Sequence, residues 1–227
     1  AVMNNGVIYI ARSEVKAAVV APGDTVAQSV IYRLDAKTGA ELPSLDVTLD
    51  GKPYGGLLAV NSIGRDNFGH VWVIPYTSEK AADIPVYTLN VETGELTLVT
   101  TLSKGDKIAR VDYRDVIGDI SREKAECNIM AAASQAATIY RWHADQGAEE
   151  FEGGFEGDLS LEITAFFPET VTLWGYAPVV KMCYDPASET PYAGELFYID
   201  GFNSVPALYD VTGSLIDSFE EVDKALY

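Results

Sequence analysis

The groups in this chain that could do chemistry are two histidines, 34 acids and two cysteines. His70 follows a glycine in "NFGHVWV", and His143 sits in "YRWHADQG". No G-x-S-x-G elbow aims a serine at either ring, although a Ser-His-Asp triad assembles in space and not in sequence. Both histidines therefore read as structural. Neither belongs to an i, i+4 or C-x-x-C ligand pattern, and no D-x-[DN]-x-[DN]-G run offers a calcium loop, so the spacing indicates no metal site. The densest acids, Asp112, Asp115 and Asp119, fall in "VDYRDVIGD". Strand parity sends Asp112 and Asp115 to opposite faces and puts Asp115 with Asp119. Solvation of a strand end is the plainer reading, and a calcium or sugar-hydroxyl site is the alternative. Glycoside hydrolysis needs two carboxylates roughly 5–10 Å apart, and 34 acids make such pairs too easy to find to be informative. Cys127 and Cys183 are too few for a disulfide framework. Their apolar neighbours suggest buried thiols, with a single bridge as the alternative.

Binding without chemistry needs flat apolar faces beside polar groups. Most aromatics fall at repeated strand positions (Tyr9, Trp72, Phe197) and read as core. Those outside the repeat are Tyr54, Tyr113, Trp174 and Tyr176, and with Arg114 as a hydrogen-bonding partner they form the candidate ligand-binding set. Loop anchoring is the competing role for each. No cofactor is indicated.

The net charge of −18 repels phosphate backbones and anionic membranes, which argues against nucleic acid as a partner. No apolar run approaches the ~18–20 residues of a membrane span. The chain opens "AVMNNGVIYI", with no charged-then-apolar leader. It reads as the interior of a longer gene product from which a leader, a lipid anchor or upstream domains have been removed.

What must position these groups is a repeat. "YRLDAKTG", "YTLNVETG", "YRWHADQG" and "LYDVTG" end on Gly39, Gly94, Gly147 and Gly213, at spacings of 55, 53 and 66 residues. Alternating apolar residues precede each glycine and a β-prone run follows, the pattern of a tight hairpin. Asp35, Asn90 and Asp210 are placed to cap the turn, and His143 occupies the same slot in the third phrase. An inner phrase comes earlier in each unit: "GVIY", "GHVW", "CNIM", "GELF". Each unit thus reads as four antiparallel strands, the sequence form of a β-propeller blade. The expected fold is an all-β propeller with four blade units near 1–53, 54–105, 106–157 and 158–227. The first unit lacks an innermost strand, so either the tail after Phe219 supplies it or the chain is part of a larger ring. The mid-repeat start favours the larger ring. Two long loops, 12–29 and 158–178, exceed what a blade needs and are where function is expected.

"YRLDAKTG", the "GHVWV" phrase and "VIGDIS" (116–121) resemble secreted or surface-lipoprotein propellers of anaerobic, Bacteroides-type bacteria, whose functions are largely unassigned. "YRLDAKTGAEL" more weakly resembles quinoprotein-type repeats. That family places a tryptophan soon after the glycine, where this chain continues "AELP", "ELTL" and "SLID". The first resemblance implies an extracytoplasmic location and glycan or adhesin-type work. The expected function is non-catalytic recognition of a glycan or protein ligand. A polysaccharide hydrolase or lyase with acids at the channel mouth, and a structural domain of a larger surface protein, are the alternatives.

Overall fold

In the computed structural model of the chain, which describes residues 1–56, 59–76, 83–103, 111–133, 138–147, 156–162, 178–183, 196–201, 207–210, 212 and 214–218, the Thr-Gly phrases are hairpin turns. Asp35 Oδ1 accepts from Lys37 N (3.1 Å), Thr38 N (2.7 Å) and Thr38 Oγ1 (2.7 Å). Asn90 Oδ1 likewise accepts from the backbone of Glu92 and Thr93, and Asp210 Oδ1 from that of Thr212 and Ser214. Gly39 and Gly94 close their turns at φ +72° and +82°, a region that penalises a Cβ. Gly213 lies outside the described residues.

The described residues form strands and turns, with no helix. The first sheet holds β1 (Val2–Asn4), β2 (Val7–Ala21), β3 (Asp24–Asp35) and β4 (Glu41–Asp46), antiparallel and in that order. The second adds a small hairpin, β5 (Thr48–Leu49) and β6 (Lys52–Pro53), to β7 (Ser62–Arg65), β8 (Val71–Ile74), β9 (Asp83–Leu89) and β10 (Glu95–Ser103), in the order β6-β5-β10-β9-β8-β7. The third is β11 (Val111–Gly118), β12 (Cys127–Ala133), β13 (Thr138–Ala144) and β14 (Glu156–Glu162). The fourth is β15 (Pro178–Cys183), β16 (Leu196–Gly201), β17 (Ala207–Asp210) and β18 (Leu215–Ser218). Every repeat is thus a four-strand antiparallel meander, as expected, and the chain is all-β.

Four details differ from the sequence reading. The innermost strand of the first unit is present: Val2–Asn4 pairs with β2, and three residues were too few to show period-two alternation. Segment 12–29 is not a loop but the continuation of β2 and β3. The stretch read as a loop from 158 begins as strand β14, paired with β13 through Glu162. Residues 48–53, grouped by the repeat with the first unit, pair instead with the second sheet, β5 lying parallel to β10.

Contacts divide the chain into two compact units, residues 1–76 with 83–102, and 77–82 with 103–227. In the first, Tyr9, Ile31, Leu45, Val47, Val71, Val73, Tyr87 and Leu89 bury a common core drawn from both its sheets. Strand β8 is buried on both faces, which is why "VWVI" is a continuous apolar run and not an alternating one. Trp72 is paired across the ladder with Gly64, and the indole lies over that glycine. In the second unit Ile129, Met130, Ala131, Trp142, Met182 and Tyr209 are buried.

Candidate functional site

In the first sheet β2 and β3 outrun their neighbours. Strand β1 pairs only with residues 7–9 of β2, and β4 only with residues 30–34 of β3. From Lys16 to Ala27 the two strands pair with each other alone, as a ribbon. A register shift between Ala11 and Val15 marks where it leaves the sheet. At its root the Arg12 guanidinium stands 5.4 Å above the Tyr32 ring, and Lys16 pairs with Asp46. At its tip Ala21-Pro22-Gly23-Asp24 makes the turn, with Gly23 at φ +83°, the Pro-Gly signature of a type II turn. Every ribbon residue from 16 to 27 except Ala18 is exposed. Successive strand residues point to opposite faces, so neither face is covered. Val26, opposite Ala18, is apolar on one side and Val19, opposite Thr25, on the other. Val19 is 74% exposed, Val20 47% and Val26 37%.

Of the candidate ligand-binding residues, Tyr54 is half-buried and anchors structure. Its ring meets Tyr87 edge to face at 5.7 Å, and its backbone bonds Val47 and Ser29. Burial, then the neighbouring Tyr87, raises its phenol pKa well above the usual value. Tyr113 lies on β11, opposite Ala132. Arg114, its neighbour on that strand, is buried and does not present a guanidinium to solvent. Trp174, Tyr176 and most of segment 158–178 lie outside the described residues. Of the five, the structure thus describes the side chains of Tyr54 and Arg114 alone.

The acids fare differently. Asp115 joins the third and fourth sheets: Oδ1 meets Lys181 Nζ at 2.8 Å and Oδ2 accepts from Met182 N at 2.8 Å. Burial raises its pKa, against the opposing pull of the lysine. Asp119 does not share the strand face of Asp115, because β11 ends at Gly118 with φ +96°. Its carboxylate, fully buried, organises the following loop by accepting from Ser121 N, Ser121 Oγ and Lys124 N. Lys181 was not foreseen, although one lysine in the apolar "VVKMC" is the signal that could have found it.

Each histidine keeps company with carboxylates. In the first unit, buried Asp66 accepts from the backbone of Phe68 and His70 and meets His70 Nδ1 at 2.7 Å. A carboxylate on Nδ1 orients an imidazole as base or ligand, and here it also closes the turn between β7 and β8. In the second unit, His143 does not cap its turn as Asp35 and Asn90 do. Its Nε2 lies 3.2 Å from Glu126 Oε2 and 3.5 Å from Asp145 Oδ1. Strand pairing brings this group together, which linear spacing hid. Both cysteines are free thiols, Cys127 buried and Cys183 half-buried. Among the described residues no helix is long and apolar enough to cross a membrane.

No family model matches the chain, and no curated protein does. Among solved structures it is similar to a candidate 6-phosphogluconolactonase from Bacteroides fragilis, with 14% identity and a TM-score of 0.50. The likeness covers 91% of this chain and 49% of that one, so the chain spans about half the length of that structure. At this identity it is a likeness of fold.

Proposed function

We propose that the chain is a β-propeller, or part of one, that works outside the cytoplasm as a non-catalytic recognition scaffold and presents the β2–β3 ribbon to a protein ligand. The propeller arrangement is supported by four consecutive meanders, by innermost strands that neighbour one another within each unit (β1 with β7, β11 with β15), and by the likeness to a β-propeller-like lactonase. Further blades or domains of a longer parent chain belong to the same proposal. The location rests on the resemblance of its repeat phrases to surface-lipoprotein propellers.

The observation that carries recognition is the ribbon bare on both faces. An isolated two-stranded hairpin is marginal in water, and exposed apolar surface on such a device marks an interaction site. Valine and alanine suit a protein surface, whereas a sugar would call for aromatic faces; a protein is therefore preferred to a glycan. The substrate class in the neighbour's name, a phosphorylated sugar, fits poorly with a net charge of −18 and with exposed Lys16 and Lys181 each paired to an aspartate. The test is to probe the chain on arrays of surface proteins and of glycans, then to repeat with Val19→Ser/Val26→Ser. Fully burying one valine is worth about 1.5–3 kcal/mol, so the double variant should weaken binding at least roughly tenfold. No ligand on either array, or affinity indifferent to the tip, would refute the reading.

One observation favours a second reading. The Asp66–His70 pair has the orientation of a general base, which suits a hydrolase. Product release from a polysaccharide that stops in His70→Ala would select it.

A further inference from the structure

We infer that Glu126, His143 and Asp145 form a binding site for a first-row divalent transition-metal ion. The three ligand atoms lie within 4.8 Å of one another. A single ion with bonds of about 2.0–2.2 Å holds neighbouring ligand atoms about 3–3.6 Å apart. His143 Nε2 stands at 3.2 Å from Glu126 Oε2 and 3.5 Å from Asp145 Oδ1, within that range. The atom that faces both carboxylates is a ring nitrogen, so an ion there takes the place of a proton. Imidazole with two carboxylates suits zinc, cobalt, nickel or manganese, and calcium prefers oxygen alone.

The repeat supplies a second argument. In the other three phrases the slot of His143 holds Asp35, Asn90 or Asp210, and each caps its turn. The third phrase gives up that cap, and Gln146 replaces the threonine of Thr38 and Thr93. It puts an imidazole there, beside Glu126, which precedes β12, and Asp145, which follows β13. Just beyond the Cys127–Ala144 pair, carboxylate oxygens of Glu126 and Asp145 lie within 4.8 Å of each other, like charges whose approach is unfavourable without a cation between them. The backbone that delivers these side chains is pinned. Glu126 O accepts from Asp119 N at 3.0 Å, and Gly147 N donates to Arg122 O at 3.0 Å. Gly118 packs so closely on the Glu126 carbonyl that a Cβ would collide with it. Open coordination positions face solvent, since Asp145 is exposed and His143 partly so.

The probe is Co²⁺ added to the full chain in 0.15 M salt, followed by its d–d absorption and by calorimetry, with Zn²⁺ as competitor. The expected result is a saturable equivalent that Zn²⁺ displaces and a large excess of Ca²⁺ does not. His143→Gln should weaken it at least tenfold, Glu126→Gln should weaken it as well, and His70→Gln should leave it intact. No saturable binding, displacement by Ca²⁺ at equal concentration, binding unchanged in His143→Gln, or loss in His70→Gln alone would each overturn the assignment. The melting temperatures of the metal-free variants separate lost binding from lost folding.

Discussion

Trp72 lies across the bare backbone of Gly64, its partner in the ladder between β7 and β8. The glycine leaves room for an indole that could not otherwise be buried at that register, on a strand covered on both faces. Gly64→Ala should therefore destabilise the chain by about 1–3 kcal/mol, the range for overpacking a core. Gly64→Ala/Trp72→Phe should recover part of the loss, because the smaller ring gives way. Urea denaturation of the cycle measures this, and a neutral Gly64→Ala would show that the ring is not held there.

The two turn glycines should differ although they serve the same phrase. At Gly39 a methyl group meets open space, so alanine costs only the left-handed conformation, about 1–2 kcal/mol. At Gly94 the methyl would also strike the Asp46 carbonyl. Gly94→Ala should be clearly the more damaging in urea midpoints, and equal effects would count against the close packing of the β9–β10 turn on the end of β4.

How much of this was legible beforehand follows from what each signal measures. Asp35 and Gly39 were readable because turn chemistry is local: a carboxylate that caps and a glycine at positive φ act within five residues. The ribbon escapes the sequence for a related reason. "APGD" is a turn signal whether a loop or a hairpin surrounds it, and only the pairing of Ala18 with Val26 decides between them. The burial of Arg114 is not legible in the sequence, because composition does not reveal where a charge is buried. Glu126, His143 and Asp145 were invisible because their proximity comes from the β12–β13 register and not from spacing.

Asp115 gives a pH test with a defined sign. Its folded pKa is raised above the ordinary 3.8, chiefly by burial. Its contribution to stability is then fully present below that value and is lost as pH rises through the folded pKa. Relative to Asp115→Asn, which does not titrate, the native chain should lose stability as pH climbs from below 3.8. Urea unfolding of both proteins across that range checks it; a native chain that gains on the variant would reverse the sign.

The thiols make a simpler case. Two equivalents should react with a disulfide reagent in denaturant without prior reduction, since Cys127 and Cys183 are free. In the folded chain the fully buried Cys127 should be protected. Cys183 should react slowly, because burial and then Asp115 raise its pKa and lower its thiolate fraction. Zero equivalents in denaturant would mean a bridge.

Recognition through the ribbon is tested most directly by amide hydrogen exchange over residues 16–27, followed with and without the protein ligand that the array selects. The expected result is rapid exchange in the free chain, where these residues pair only with each other, and marked protection in the complex, with β8 and β12 unchanged. Protection elsewhere in the complex, with the ribbon still exchanging as in the free chain, would contradict it.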